Sequence, residues 1–251
     1  MSLTAARPAR GDARILIGSV GVAVAAAIVW EIASHLSFVI PKPLATLGAL
    51  GRDLTDPRYL ADLRETLLAA LGAFAVATFG GGLVGLGLGL SKVARVVFGP
   101  FITVLNGVPK IVLYPVLLPV FHLGYGSKIV MGVLFGLFPV LINVATGVRE
   151  IPDVYWRLAR SVRANRWQTL THILLPAIRG PLLTGLRLAV SLSLVGVVLS
   201  EFFATKRGLG RVVLQSYSGG DYADMMSTIL LLIAISFVLS LLLWRLERRV
   251  R

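Results

Sequence analysis

Six long apolar runs, separated by short polar stretches, constrain the fold of this chain more than any other feature. They lie near residues 15–36, 66–90, 97–121, 129–148, 181–203 and 225–244. A helix needs about 20 apolar residues to cross a bilayer, and in hydrocarbon the backbone must satisfy its hydrogen bonds within its own helix. The runs therefore predict an all-α fold, a polytopic membrane bundle of about six transmembrane helices.

Composition also indicates a chain that is solvated by lipid. Of its 251 residues, 56% are hydrophobic and 15% are charged, whereas soluble domains carry about 25% charged residues. So little polar surface cannot cover a water-soluble globule. No shift in composition marks a second domain, so residues 1–251 are predicted to form a single transmembrane domain.

The first run begins with basic residues and resembles a signal peptide in that respect. Arg7, Arg10 and Arg14 precede its apolar part. Trp30 and Glu31 near its end are more typical of a membrane anchor that is retained. We therefore expect this run to remain as the first transmembrane helix.

The distribution of basic residues predicts the orientation of the chain. The net charge is +13, but the aromatic residues lie in apolar runs rather than beside the basic ones, so no nucleic-acid partner is expected. With six spans, about twice as many lysines and arginines fall on the side of the two termini as on the other side, where Lys128 is counted as a loop residue. The positive-inside rule then places both termini, and the Arg-rich loop at 149–179, in the cytoplasm.

Polar residues within the apolar runs are candidates for a translocation pathway. Pro109, Pro115 and Pro119 interrupt the third run and predict a kinked or broken helix. Broken backbone at membrane depth is tolerated where protein or an aqueous cavity borders it. The predicted pathway residues are Asn106, Lys110, Asn143 and Glu201. The alternative interpretation is that these groups bond between helices or extend to the membrane surface.

Small residues recur at every fourth position of the second run. They are Ala69, Ala73, Ala77, Gly81, Gly85 and Gly89. This spacing puts them on one face of a helix, where another backbone can approach closely. The pattern predicts a helix–helix or subunit interface.

No motif for catalysis or for binding of a metal or nucleotide is present. His35, His122 and His172 lack ligand spacing and the chain has no cysteine, so we expect no metal site. No nucleophile or paired-carboxylate arrangement stands in a suitable context, and no phosphate-binding GxxxxGK[ST] occurs. We expect no catalytic residues and no cofactor bound by this chain.

The segment from Val154 to Pro176 is an Arg-rich amphipathic stretch between two apolar runs. Pro152 and Asp153 suit the first turn of a helix. Val154, Leu158 and Val162 then form one apolar face, with Arg157 and Arg160 largely away from it. Such a helix can lie in the groove of a partner protein or on an anionic lipid surface.

Taken with the rest of the chain, this segment resembles the inner-membrane permeases of bacterial ABC importers of the nitrate, sulfonate and taurine type. The resemblance includes Pro109-Lys110-Ile111, Gly124-Tyr125-Gly126-Ser127-Lys128, and Glu201 followed by Gly208-Leu209-Gly210. Its diagnostic motif is Glu-Ala-Ala, three residues, Gly, nine residues, Ile-x-Leu-Pro. The chain keeps Ala159, Ile173, Leu175 and Pro176, and has Arg157, Leu158 and Arg163 where the motif has glutamate, alanine and glycine.

These departures lead to two expectations. The glycine of the motif serves a turn that favours positive φ, and Asn165, two residues after Arg163, could take the left-handed conformation and shift that turn. Arginine in place of glutamate reverses the charge that the loop offers to its partner. The hypothesis is a co-adapted partner with acidic residues in its groove.

The resemblance implies a type I ABC importer permease fold in the bacterial inner membrane. It also implies a permease dimer, two ATPase subunits that bind ATP and Mg²⁺, and a periplasmic or extracellular solute-binding protein. The chain would carry a small solute, anionic or organic, by alternating access. The residues expected to couple to the ATPase are Ala159, Arg163, Trp167, Ile173, Leu175 and Pro176.

Two other classes of protein remain open at this point. A channel or an ATP-independent secondary transporter would keep the spans and the broken helix, but such transporters usually show internal repeats. A non-transporting membrane scaffold would explain the basic loop and the small-residue face, but not the polar groups at depth. A nucleotide requirement for uptake separates the first class from an importer, and any solute flux eliminates the second.

Overall fold

Nearly all of the chain that the structure describes is helical, as the apolar runs predict. The structure is a computed structural model, and it describes residues 10–122, 124–203 and 206–250. The first helices are α1 (Arg10–Leu36), α2 (Pro43–Asp53), α3 (Pro57–Leu90), α4 (Lys92–Gly107), α5 (Tyr114–Phe121) and α6 (Tyr125–Arg149). They are followed by α7 (Asp153–Ser161), α8 (Arg166–Thr169), α9 (Leu175–Glu201), α10 (Leu209–Gly219) and α11 (Tyr222–Val250). The all-α prediction is confirmed.

Four helical stretches in the described part are long and apolar enough to cross a membrane. They are α3, α6, the continuous stretch Arg166–Glu201 that ends with α9, and Tyr222–Arg248 of α11. The bent pair formed by α4 and Lys110–Phe121 counts as a fifth if it is one broken span. The apolar stretch Val20–Leu36 of α1 is shorter. Five of the six predicted runs thus correspond to candidate spans, one of which is broken, and the first run corresponds to a shorter apolar helix.

The third run is broken, as its prolines predict. The axis turns by 91° between α4 and the stretch Lys110–Phe121. Val108 and Pro109 take extended backbone conformations, and a single 3₁₀ turn over Lys110–Leu113 leads into α5. Pro109 cannot donate a backbone hydrogen bond, so the helix ends just before it.

The core of the bundle is formed by α3, α6 and α9. Ala69, Ala73 and Ala77 on α3 are fully buried. A Cβ built on Gly81 or Gly85 would lie 2.7 Å from a carbonyl oxygen of α6, so only glycine permits this approach. The small residues of α3 therefore form a helix–helix interface, as their spacing predicts.

The other helices pack around this core. α11 lies against α9, α10 and α2, while α1 contacts α2. The Trp30 indole N–H donates to the Pro41 carbonyl at 3.1 Å, which holds α1 at the start of the bundle. α4 contributes no buried residue, so its apolar side chains face the surroundings of the chain.

Candidate functional site

The two ends of α9 carry the polar groups that suggest function. We call residues 149–179, which precede and begin α9, the basic loop. We call the group at its other end the Glu201 cluster. The members of the cluster are Asp62, Glu65, Thr66, Lys128, Glu201 and Arg211.

The basic loop is fixed to the bundle by one side of α7. Ala159 is buried on that side. Trp156, three residues earlier and hence on the same side of the helix, packs with Leu170 against the buried cluster that includes Ile151 and Leu174. A π-helical turn over Leu170–Leu174 then continues directly into α9. The loop is therefore held firmly over the end of the core.

The other sides of the basic loop face away from the protein. Val154, Leu158 and Val162 are all more than half exposed, and the Trp167 side chain is 70% exposed. Four arginines of α7, the following turn and α8 are exposed as well: Arg157, Arg160, Arg163 and Arg166. Within the described residues, none of these four side chains forms an ion pair. The loop thus presents an apolar and strongly basic surface.

The turn after α7 differs from the sequence-based expectation. The left-handed residue is Arg163, with φ of 51°, and not Asn165, which has φ of −73°. The Ala164 N–H donates to the Ala159 carbonyl at 2.9 Å, and the Arg163 N–H to the Arg160 carbonyl at 3.1 Å. These two bonds define a Schellman turn, which normally has glycine at the position of Arg163.

The expectation that Asn165 takes the left-handed conformation was wrong, because this residue caps the start of α8. Its side chain accepts from the Gln168 backbone N–H at 2.8 Å, and the Gln168 side chain accepts from the Asn165 backbone N–H at 2.9 Å. This reciprocal capping box starts α8 and requires extended backbone at its first residue. The turn therefore stays where the motif has its glycine.

The predicted coupling residues lie on or beside this loop. Ala159 faces the bundle, whereas Trp167, Leu175 and Pro176 are exposed. Ile173 and Pro176 line a cleft of about 510 Å³ together with Tyr155 and His172. The structure thus brings the start of α7 and the start of α9 together, and the coupling role of these residues stays a prediction.

Two of the predicted pathway residues are in contact at the break between α4 and α5. The Lys110 ammonium donates to the backbone carbonyl of Asn106 at 2.9 Å and lies 5.0 Å from the ring centroid of Phe138. Asn143 donates to the Pro139 carbonyl of its own helix at 2.8 Å and lines a shallow cleft with Thr184. Their role in translocation stays a prediction.

Glu201, the fourth predicted pathway residue, is buried in its cluster. The Lys128 ammonium donates to Glu65 Oε1 at 2.8 Å, to Glu201 Oε1 at 3.1 Å and to the Arg207 carbonyl at 2.7 Å. These contacts use all three donors of the ammonium group. The sequence predicts Lys128 to be a loop residue, but this prediction is wrong: Lys128 lies within α6 and is 1% exposed.

The remaining contacts of the cluster fix the start of α10. Glu201 accepts from the Thr66 hydroxyl at 3.0 Å and from the Gly210 N–H at 2.9 Å. Asp62 accepts from the Gly208 N–H at 2.7 Å and from Arg211 at 3.0 Å. The cluster therefore ties α3, α6, α9 and α10 together.

The glycines of this segment explain part of the sequence pattern. Gly208 has φ of 119°, and a Cβ built there would collide with the Glu201 carboxylate. A Cβ on Gly210 would lie 2.6 Å from the Cβ of Glu201. The spacing of Glu201 and Gly208-Leu209-Gly210, noted above as part of a resemblance, was the one sequence signal that pointed to this arrangement.

Comparisons with known proteins agree with this architecture. A family model described as "Binding-protein-dependent transport system inner membrane component" matches residues 77–251. The taurine transport system permease protein TauC of Escherichia coli K12 is 33% identical over 215 residues, which are 84% of this chain and 76% of the relative. The nitrate import permease protein NrtB of Synechococcus elongatus is 31% identical over 156 residues, 62% of this chain and 56% of the relative.

A solved structure also has the same fold. An inward-facing structure of the MetNI methionine ABC transporter matches with a TM-score of 0.64 at 18% identity. The match covers 78% of this chain and 100% of the other.

Proposed function

The chain belongs to the family of binding-protein-dependent transport system inner membrane components, and we propose that it carries a small solute, anionic or organic, by alternating access. The family consists of ABC importer permease subunits of the bacterial inner membrane. ATP and Mg²⁺ belong, in this proposal, to two partner ATPase subunits. A periplasmic or extracellular binding protein delivers the solute to a dimer of this chain.

The surface of the basic loop is the observation that carries this proposal. Its apolar side chains are exposed although the loop is packed firmly on the core. An exposed helix face that combines an apolar stripe with basic residues is suited to a groove in another protein. Because the loop continues directly into α9, a force applied to it reaches the transmembrane core.

The predicted coupling residues take different parts in this docking. Trp167 is exposed and able to anchor the loop in an apolar pocket. Ala159 is buried against the bundle, Ile173 lines the cleft beside the start of α7, and Leu175 and Pro176 start the helix that transmits movement. Arg163 sets the turn between α7 and α8.

The broken third span supports a pathway for the solute. Lys110 lies at the break, and no carboxylate among the described residues pairs with it. A cationic group beside broken backbone favours an anionic solute at this point. Asn106 and Asn143 are proposed to line the same pathway. Glu201 is proposed to act on it indirectly, since its bonds hold the start of α10.

The proposed orientation places both termini and the basic loop in the cytoplasm. It is supported by the positive-inside rule and by the position of the loop, which has to meet a cytoplasmic ATPase. The binding protein then docks at the opposite end of the bundle, beside α2 and α10. Those two helices are short and lie outside the candidate spans.

Co-purification from native membranes tests the proposal. The chain, tagged at its C-terminus, is extracted in mild detergent, and bound proteins are identified and assayed for ATP hydrolysis. We expect a nucleotide-binding subunit with ATPase activity, which is lost when Val154–Pro176 is scrambled. A preparation without any ATPase would contradict the proposal and favour a channel, a secondary transporter or a scaffold.

A further inference from the structure

The turn of the basic loop keeps its geometry although its sequence departs from the motif. Arg163 adopts the left-handed conformation in which glycine is favoured, and both hydrogen bonds of the Schellman turn are formed. The capping box of Asn165 and Gln168 fixes the start of α8 immediately afterwards. The departures therefore leave the shape of the loop intact and change its charge.

The charge of this surface is almost entirely of one sign. From Asp153 to Thr169 the loop has four arginines and one aspartate, and the four arginines are exposed. At the other end of the bundle, by contrast, Arg211 pairs with Asp62 and Arg52 with Asp224. Among the described residues, the arginines of α7 and α8 are left without such carboxylates.

The arginines of α7 form a stripe separate from its apolar stripe. At about 100° per residue, Arg157 and Arg160 lie about 60° apart around the helix axis. They are on the opposite flank of the buried Ala159 from Leu158 and Val162. A groove that receives the apolar stripe must therefore bring one wall against the basic stripe.

From this geometry we infer that the ATPase groove that receives the loop is acidic where it faces Arg157 and Arg160. The inference rests on the proposed function and adds the chemistry of the partner. Carboxylates can bind arginines in a bidentate way, which fixes both register and partner choice. Because the loop keeps the geometry of the motif, the inferred ATPase groove needs no unusual shape. Its negative charge is the feature that is specific to a partner of this permease.

A fixed protein groove fits the surface better than a lipid headgroup layer. Trp156 and Leu170 hold α7 and the following turn against the end of the core. A helix immobilised in this way presents its stripes at one set position, which a rigid groove can match and a fluid surface does not require. Anionic lipid is therefore the alternative outcome of the test.

The test is charge reversal of the basic stripe in the intact chain. R157E/R160E is compared with K92E/R245E, which reverses two exposed basic residues of α4 and α11 outside the basic loop. We expect R157E/R160E to lower the amount of ATPase recovered per permease by about tenfold or more and K92E/R245E to leave it nearly unchanged. Recovery with the unchanged chain should fall as salt rises, since salt screens exposed charges.

Further variants guard against a folding defect. R157Q/R160Q removes charge without reversing it and should give an intermediate loss, while the thermal unfolding of all variants stays the same. Lysine substitutions at the facing carboxylates of the recovered ATPase should restore binding to R157E/R160E. This rescue requires a direct charge contact.

Recovery that is equal for R157E/R160E and the unchanged chain, at low and high salt, would overturn the acidic groove. The proposed function would stand in that case, because the ATPase is still recovered. A lipid role would show as unchanged recovery together with ATPase activity that no longer depends on phosphatidylglycerol in phosphatidylcholine vesicles. Absence of any ATPase with the unchanged chain would contradict the proposed function itself.

Discussion

Charged residues are buried and paired near one end of α9, whereas they are exposed and unpaired by carboxylates of the described residues near its other end. The helix runs from Leu175 to Glu201, so at about 1.5 Å per residue its ends are roughly 40 Å apart. At one end, Lys128 and Glu201 are buried and each is bonded to several groups of this chain. At the other end, the arginines of the basic loop are exposed and have no carboxylate partner among the described residues.

This difference separates groups that hold the fold from groups that meet another molecule. A buried charge is tolerated only where partners compensate its lost hydration, so the Glu201 cluster had to be complete within one chain. An exposed arginine remains hydrated, so it needs no compensating partner within its own chain and is available to another molecule. We therefore expect changes in the cluster to affect stability and changes in the loop to affect assembly.

The largest effect should follow from removal of Lys128. K128A leaves the Glu65 and Glu201 carboxylates together without their shared cation, and breaking a buried pair in this way costs about 3–5 kcal/mol. Thermal unfolding in detergent measures the loss. The exposed Lys92 is the control, since K92A should change the stability by no more than about 0.5 kcal/mol.

A double variant sharpens this prediction. K128A/E201A removes both charges, so its loss of stability should be smaller than the sum of the losses in the two single variants. Additive losses would contradict direct coupling between Lys128 and Glu201.

A second prediction concerns two glycines that both have positive φ. Gly208 has φ of 119° and lies against the Glu201 carboxylate, whereas Gly220 has φ of 81° and open space around its Cβ position. G220A should cost about 1 kcal/mol from backbone strain. G208A should cost about 1–3 kcal/mol of strain and, in addition, displace Glu201 from its partners. Equal losses in thermal unfolding would show that the contact with Glu201 is unimportant.

In the basic loop, a substitution should raise stability. R163G relieves the left-handed conformation of Arg163 and should stabilise the folded chain by about 1 kcal/mol. R160G, three residues earlier within α7, should destabilise it by a similar amount because glycine is unfavourable inside a helix. Unfolding measurements that give both variants the same sign would contradict a left-handed turn at Arg163.

The smallest effect is a pH dependence at the end of α2, where Asp53 is the last residue. Burial raises the pKa of Asp53, and so does the nearby Asp224 carboxylate, while the Ser227 hydroxyl bond of 2.6 Å and Arg52 lower it. The folded chain thus holds this proton more tightly than the unfolded chain, so the associated stability is present at low pH and is lost as pH rises through the raised pKa. Between about pH 4 and about pH 7, the unfolding temperature of D53N should therefore fall less, or rise more, than that of the unchanged chain. An identical pH profile in the variant would argue against a role for Asp53.

Much of the fold could be predicted from local patterns in the sequence. Apolar length located the helices, prolines located the break near Pro109, and the fourfold spacing of small residues located the α3 interface. These features depend on residues close to one another in the chain. The physical cause of each of these features can therefore be recognised in the segment of sequence that forms it.

The candidate sites depended on information of another kind. The burial of Lys128 follows from contacts with Glu65 and Glu201, which are 63 and 73 residues away along the chain. No local sequence pattern indicates contacts between residues so far apart along the chain. At Arg163, residue preference pointed to Asn165, but the capping of α8 required extended backbone there. The hydrogen bonds that start α8 therefore determined the backbone conformation of Asn165 more than the left-handed preference of asparagine did.

Protection of a single thiol tests most directly the claim that the basic loop is the docking surface. The chain has no cysteine, so L158C and L214C each introduce a single thiol, on exposed sites of α7 and α10. Both variants are treated with a membrane-impermeant maleimide in inside-out and right-side-out vesicles, with and without the co-purified ATPase. If the basic loop is the docking surface, L158C reacts in inside-out vesicles and is protected by the ATPase, while L214C reacts in right-side-out vesicles with or without it. Reaction of L158C at the same rate with and without the ATPase would show that the ATPase docks elsewhere.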